Sequence, residues 1–420
     1  MVGRCALPAQ EVTVAKSEIF AGLDIGSTKV CTTVAEIHDD GRVDIIGVGF
    51  VPCMGLRRGV VVDMDATTSG IRESVAIAQR VSGAEIHTAL VGVTGEHISS
   101  LNSPGRIAIT QEDHEVRREH VDRVLDASRV IVLPPEREII HAIPRGFTID
   151  GQAGIKDPVG MSGRRLEVET HIVTGSTSFL QNVLKSVAKA GIEVEETVLA
   201  SIASGLAVTS QEERELGVAV IDIGGGTSDI AIFVDGEVYY TAVLPVGGGH
   251  ITHDIAVGLQ TSQEEAEKVK REAGCARVDM VEKGEMFQVA ALGSSEPKSL
   301  PRHILAQLIE PRVEEILEMS KKEIDQSGYL GLLPMGIVLT GGSALLPGIV
   351  DSATRIIETP SRLEVPRGVG GMVDSVTSPM FATSVGLVKY AARHRMAVRD
   401  DGKSPSLLAN VFTGIKKLFK

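Results

Sequence analysis

Residues 218–233 read Val-Ala-Val-Ile-Asp-Ile-Gly-Gly-Gly-Thr-Ser-Asp-Ile-Ala-Ile-Phe, and residues 20–35 read Phe-Ala-Gly-Leu-Asp-Ile-Gly-Ser-Thr-Lys-Val-Cys-Thr-Thr-Val-Ala. Each is an apolar run, then Asp-Ile-Gly, then small or hydroxyl residues, then a second apolar run. The pattern predicts a β-hairpin whose turn carries no bulky side chain. Glycine there lets a backbone approach a ligand closely. The turn N–H groups and the Ser and Thr hydroxyls can donate to phosphate oxygens. An Asp ending each first strand suits a water-coordinated Mg²⁺. Two such hairpins facing each other would hold a nucleoside triphosphate from both sides.

Around these hairpins, strand-like and helix-like stretches alternate, so the class is α/β. The chain has 420 residues, too many for one ordinary core, and two or more subdomains are expected. A strand is expected at Val43–Gly49, a helix at Ala66–Ser82 and a buried strand at Ala89–Val93. Residues 97–171 differ, with more charge and short strands around a helix near Glu115–Val130, and read as a small α+β insertion. Helices follow at Thr177–Ala190, Ile251–Leu259, Ser262–Gly274 and Arg302–Gln326, then a strand, a Gly-Gly turn and a helix over 336–359, and a last helix at Met380–Arg395.

The bulk numbers exclude several classes. A net charge of −13 argues against nucleic-acid binding as the main activity. No apolar run reaches the length of a bilayer span, and the N-terminal residues 1–16 lack the apolar stretch of a secretion signal. Cys5, Cys31, Cys53 and Cys275 have neither paired nor metal-ligand spacing, which fits reduced thiols in a cytosol. His250 and His253 have His-x-x-His spacing without an evident third ligand, and surface or capping roles are expected. Arg57-Arg58, Arg164-Arg165 and Lys321-Lys322 read as solvated charge.

A third motif, Val338-Leu-Thr-Gly-Gly-Ser-Ala-Leu-Leu-Pro-Gly348, follows the two hairpins, and small-residue helices fall at Ala200–Ala207 and Ser378–Leu387. Five motifs in this order resemble the actin, heat-shock chaperone and sugar-kinase superfamily. The resemblance implies an actin-like, ribonuclease H-like fold of two lobes, with ATP and Mg²⁺ between them. It assigns Asp24 and Asp222 to Mg²⁺ through water. It assigns Gly26, Ser27, Thr28, Lys29, Gly224, Gly225, Gly226 and Thr227 to the phosphates. Gly341, Gly342 and Ser343 would pass the adenosine, and Glu267 and Lys270 would flank ribose and base. The small-residue helices would cross at the hinge. One departure stands out. Relatives carry a Glu or Gln before the first crossing helix to orient the attacking water, whereas Ala200 stands there and Glu196 is the nearest acid. Alanine can neither position nor deprotonate water, so slow or absent hydrolysis is expected.

The last fifteen residues end the reading. On a helical wheel Leu407, Leu408, Val411, Phe412, Ile415, Leu418 and Phe419 share an arc of roughly 140°, with Lys416, Lys417 and Lys420 opposite. This describes a helix lying in a membrane interface, drawn to anionic lipids. An actin-like core with such a tail, together with Glu212–Thr227 and Leu308–Leu317, is similar to the bacterial cell-division FtsA family. That resemblance implies the following division of the chain: an extension (1–16), a first core subdomain (17–96, 172–198, 375–395), the insertion (97–171), a second core subdomain (199–249, 330–374), an upper subdomain (250–329), a linker (396–405) and a membrane helix (406–420). It further implies self-assembly into filaments at the cytoplasmic face of the membrane, at the septum, with FtsZ and later division proteins as partners. The FtsZ C-terminal peptide would dock on the upper subdomain, where Arg302 and Arg312 could take its carboxylates. Two other readings use the same fold. A PilM-like pilus assembly protein shares the insertion but needs no lipid helix. A small-molecule kinase needs a general-base Asp in a substrate cleft, and no Asp outside the nucleotide motifs has that context.

Overall fold

Two sheets carry the same wiring, each built outward from one of the repeated hairpins. The computed structural model describes residues 17–53, 55–290 and 297–400. Strands β1 (Glu18–Ile25) and β2 (Lys29–Ile37) form the first hairpin, with Asp24 opposite Cys31, and β3 (Val43–Pro52) extends it antiparallel. Helix α1 (Met64–Ser82) begins where Asp63 accepts hydrogen bonds from the Asp65 and Ala66 N–H groups and ends at left-handed Gly83. Strand β4 (Thr88–Val93) then runs parallel to β1.

The insertion follows as β5 (Ser99–Ala108), α2 (Arg118–Arg129), β6 (Arg137–Ile149), β7 (Gln152–Ile155) and β8 (Arg165–Ser176), in sheet order β5-β8-β6-β7. It has its own small core, where Val121, Val124 and Leu125 of α2 meet Phe147, Leu166 and Val168. Helix α3 (Thr177–Lys189) leads to β9 (Glu193–Leu199), which joins β4 in parallel.

Helix α4 (Ala200–Val208) and the single turn α5 (Gln211–Leu216) cross to the second lobe. There β10 (Val218–Ile223) and β11 (Ser228–Val234) form the second hairpin, with Asp222 opposite Asp229, and β12 (Glu237–Leu244) extends it. Helices α6 (Gly248–Leu259), α7 (Gln263–Ala273) and α8 (Arg302–Gln326) build the upper part of this lobe. Strand β13 (Ile337–Thr340) is parallel to β10. Helix α9 (Ile349–Ile357) and β14 (Ser361–Leu363) complete the sheet, order β12-β11-β10-β13-β14. The first sheet has the matching order β3-β2-β1-β4-β9, with a sixth, two-residue strand at Gly370–Gly371 beside β3. The likeness of the two sequence stretches is therefore a likeness of position: each hairpin supplies the two middle strands of its sheet.

Two boundaries fall elsewhere than the sequence suggests. Strand β15 (Gly370–Gly371) pairs with Asp44 and Ile45 of β3, so the chain is back in the first lobe before residue 375. The last helix, α10 (Ala382–Asp400), runs through the first residues of the expected linker. Residues 1–16 and the tail 406–420 lie outside the described residues.

The lobes are joined where α4 crosses α10. All nine residues of α4 are buried, and they are small or aliphatic: Ala-Ser-Ile-Ala-Ser-Gly-Leu-Ala-Val. A methyl group placed on Gly386 of α10 would lie 1.8 Å from the Ala203 carbonyl oxygen. One placed on Gly205 would lie 2.4 Å from the Phe233 ring. Both distances are far inside contact, so the α4–α10 crossing needs glycine at 386 and the packing of α4 on β11 needs glycine at 205. Gly386→Ala should lower the unfolding free energy by about 1–3 kcal/mol, even though alanine is the better helix former. Urea denaturation measures this. An unchanged midpoint would mean that the helices do not approach this closely.

Candidate nucleotide-binding site

The two hairpin turns close in the same way. The Gly26 N–H donates to the Lys29 carbonyl at 2.8 Å, and the Gly224 N–H donates to the Thr227 carbonyl at 2.9 Å. Their tips meet across the cleft between the lobes. A Cβ on Gly225 would sit 2.5 Å from the Thr28 methyl, and one on Gly226 would sit 2.4 Å from Ser27 Oγ. The third glycine run stacks on the second hairpin. The Gly248 and Gly249 N–H groups donate to the Gly224 and Gly225 carbonyls at 2.9 and 2.7 Å. Gly341 adopts φ +87°, and a side chain there would run into the Asp222 carboxylate at 2.3 Å. Ser343 Oγ donates to the Gly224 carbonyl at 3.1 Å. The phosphate-loop residues of both lobes and Gly341-Gly342-Ser343 are thus gathered at one place.

The charges at the strand ends are the site's second feature. Lys29 Nζ is 2.6 Å from Asp24 Oδ2. Burial works against the Lys29 charge, but the Asp24 and Asp222 carboxylates prevail and hold its pKa above the ordinary lysine value. Asp222 is buried, accepts from Thr383 Oγ1 at 3.1 Å, and is pushed up to about 6 by burial and by Asp24. Asp229, which the sequence reading did not single out, accepts from Thr227 at 2.9 Å and from Thr94. Burial and the Asp222 charge raise it to about 7. Thr94 follows β4 in the first lobe, so this hydrogen bond spans the cleft. The signal for Asp229 was present, since the cross-strand partner of Asp222 is a second acid.

This donor set fits a polyphosphate with a hydrated divalent cation. The turn glycines leave a cradle that a Cβ would fill. Ser27, Thr28 and Thr227 bring hydroxyls, and Lys29 brings a positive charge. Two carboxylates that resist ionisation would gain most from a cation.

Glu267 and Lys270 form more than a solvated pair. Lys270 Nζ, whose side chain is 11% exposed, lies 2.6 Å from Glu267. It also donates to the Gly248 carbonyl at 3.0 Å and to Thr252 at 2.8 Å. It therefore ties α7 to the glycine run that opens α6. Burial lowers its pKa against the pull of Glu267.

Ala200 is the first residue of α4. Glu196 does not replace a water-orienting acid. It is held by the Tyr390 hydroxyl at 3.0 Å and is pushed up to about 7 by burial. Tyr390 is seven residues beyond Thr383 on α10, about 10 Å along the helix axis.

Arg302 and Arg312 are not free to receive a partner's carboxylates as the sequence reading expected. Arg302 donates to the Ala273 carbonyl at 2.7 Å, at the end of α7, and pairs with Glu285. Arg312 grips Asp254 with two hydrogen bonds, at 2.7 and 3.2 Å, and also pairs with Glu315. Packing of α8 against α6 and α7 brings these acids close, which sequence spacing does not reveal. Glu310 and Glu314 face Arg355 instead. Leu407 to Lys420, expected from the sequence to form a membrane helix, lie outside the described residues.

The fold is that of the actin-like ATPases. It is similar to the solved "PilM-PilN type IV pilus biogenesis complex", with a TM-score of 0.62 at 17% identity, over 89% of this chain and 98% of that one. It is also similar to MreB5 of Spiroplasma citri bound to ADP, with a TM-score of 0.55 at 15% identity, over 91% and 99%. The sequence matches the family model "Cell division protein FtsA" over residues 219–386 and "SHS2 domain inserted in FTSA" over 95–174. It is 40% identical to cell division protein FtsA of Pseudomonas aeruginosa, over 96% of this chain and 95% of that one. It is 41% identical to FtsA of Bacillus subtilis, over 90% and 84%. The chain belongs to the FtsA family of cell-division proteins.

The raised carboxylates give a pH test. Between about pH 4 and 7 the folded protein holds protons on Asp222 and Asp229 that the unfolded chain has released. Their contribution to stability is complete at low pH and is lost as pH rises through their folded values. The buried His141 and His171, each pushed down to about 3 by burial, act in the opposite sense and lower stability as pH falls below 6.5. The comparison of wild type with Asp229→Asn isolates the carboxylate. In thermal unfolding without nucleotide, the variant should gain on wild type as pH rises from 5.5 to 8. A constant difference would show that Asp229 does not titrate in this range.

Proposed function

We propose that this chain binds Mg²⁺-ATP between its lobes, assembles into filaments, and tethers FtsZ filaments to the inner face of the cytoplasmic membrane at the septum, where later division proteins are recruited. The observation that carries the nucleotide part is the meeting of the two hairpin turns and the Gly341-Gly342-Ser343 turn at one cradle of glycines beside Asp24, Lys29 and Asp222. Membership of a cell-division family supports the rest, and the composition of residues 406–420 supports a lipid-bound state. One such helix holds weakly, so attachment would depend on many copies along a polymer.

The FtsZ peptide site is assigned to the upper subdomain, between α6 and α8. Val257 is exposed there, while Ile304 and Leu308 are half-buried. With Arg312 already holding Asp254, the arginine positions α8 against α6 and could reach a peptide carboxylate only by exchanging partners.

The test is co-sedimentation of the chain with anionic liposomes and FtsZ, with and without ATP. FtsZ should pellet with the liposomes only when the chain is present and intact. Removal of residues 406–420 should leave the folded chain and FtsZ in solution. Phe412→Glu or Phe419→Glu should do the same by placing a charge on the apolar face. Gly225→Val should lose ATP binding by orders of magnitude, since its side chain would occupy the cradle against Thr28. Sedimentation of the truncated chain at the wild-type level would remove the membrane part of the reading.

Hydrolysis should be slow, because Ala200 stands where a water-orienting acid is needed and Glu196 is engaged by Tyr390. Single-turnover measurement with radiolabelled ATP gives the rate. A rate like that of actin-like filaments would require a base other than these two residues.

A further inference from the structure

A short turn from the first lobe reaches the tips of both phosphate hairpins, and nothing in the nucleotide reading above accounts for it. Leu56–Arg57 and Val60–Val61 pair as a two-residue hairpin, Arg57 opposite Val60. Its loop is Arg58-Gly59, with φ of +50° and +76°. Two consecutive positive φ values in a two-residue hairpin loop are the type I′ pattern, which takes Asn, Asp or Gly at its first position. An arginine there is strained, and strain of this kind is kept where a site needs it.

The turn is fixed in place. The Gly59 N–H donates to Ser27 Oγ at 3.1 Å. A Cβ on Gly59 would meet the Thr94 carbonyl at 2.4 Å, so the loop lies flat against the residue that bonds Asp229. A Cβ on Gly226 would come within 3.1 Å of the Arg58 backbone nitrogen, which puts this loop against the second hairpin as well. The Arg58 side chain is 43% exposed, and its pair with Glu96 is loose, at 3.6 Å. Exposed pairs of this length are weak and easily exchanged. On the opposite lobe, His250 opens α6 and accepts from the Gly247 N–H at 3.2 Å. Burial chiefly, and also the Arg58 charge, lower its pKa. The Arg58 backbone thus lies against the turn of the second hairpin, and His250 follows Gly249, whose N–H donates to the Gly225 carbonyl of that same turn.

We propose that Arg58 recognises the terminal phosphate of a bound nucleoside triphosphate, exchanging Glu96 for it and so distinguishing triphosphate from diphosphate. The proposal rests on the nucleotide reading of the cleft. The planar guanidinium suits this task because it can give two hydrogen bonds to a phosphate while remaining charged at any working pH. Arg58, read from the sequence as solvated charge, is then the one of the Arg57-Arg58 pair held at the site, while Arg57 is exposed.

The test is isothermal titration of the full chain with ATP and with ADP, each with Mg²⁺. The variants are Arg58→Asn, Arg58→Lys and Glu96→Gln. Asparagine keeps the left-handed turn and removes the charge. Arg58→Asn should weaken ATP binding about tenfold to a hundredfold and change ADP binding little, with a melting temperature equal to or above that of wild type because asparagine relieves the strain of the turn. Arg58→Lys should retain part of the preference, because the charge stays and the fork is lost. Glu96→Gln should strengthen ATP binding by freeing the arginine. A wild-type ATP-to-ADP ratio in Arg58→Asn would overturn the role of Arg58 while leaving the nucleotide site standing. If the wild-type chain binds neither nucleotide, the reading beneath the proposal falls with it.

Discussion

The cleft between the two lobes depends on how closely α4 and α10 approach. At Gly386 the two helices touch backbone to backbone, with no room for even one methyl group. From this crossing α10 reaches both sheets. Thr383 on α10 reaches Asp222 at the end of β10, and Ser384 takes a hydrogen bond from Thr33 on β2 at 3.0 Å. A wider crossing would separate the ends of β1 and β10 and leave each hairpin turn facing water. Small residues at the crossing are thus a condition for the cleft. Two of them, Thr383 and Ser204, also hydrogen-bond the Asp222 carboxylate.

The second constraint is electrostatic. Asp24, Asp222 and Asp229 converge, with Lys29 among them, in a place where burial disfavours charge. Burial holds the pKa values of Asp222 and Asp229 above the ordinary carboxylate range. A cation and a polyphosphate bring compensating charges together, so the same residues that disfavour the empty ionised state favour a loaded one. The hydrogen bond from the Thr94 hydroxyl to Asp229 joins the lobes at this point.

Much of this was legible in the sequence, because the informative residues are local. A hairpin turn of Gly, Ser and Thr must be read where it stands, and both turns form where Asp-Ile-Gly predicts them. Helix α8 begins and ends at the expected residues, since its apolar spacing is regular. The gaps arise where distant segments decide the outcome. Gly370–Gly371 shows no strand-like run and joins β3 only because the chain passes there on its way to α10. Arg302 and Arg312 are occupied by acids 17 and 58 positions away, Glu285 and Asp254. Arg58 looks like surface charge in the sequence. Its left-handed φ and its place between Ser27 and Gly226 exist only in three dimensions.

The insertion adds a consequence for motion. It belongs by chain order to the first lobe, yet it also grips the second. Ser100 donates to the Thr241 carbonyl at 2.7 Å, His171 bonds Thr241 Oγ1 at 2.9 Å, and the Arg145 guanidinium lies 3.4 Å from the centre of the Tyr239 ring. All three contacts end on β12, the outer strand of the second sheet. Rotation of one lobe against the other about the α4–α10 crossing cannot occur without shearing them or carrying the insertion along. Each contact is modest, about 1 kcal/mol for a neutral hydrogen bond, so together they oppose rotation without forbidding it. The cradle and the insertion are thus connected through one sheet: the hairpin β10–β11 carries the cradle at its turn and β12, which holds the insertion, at its flank.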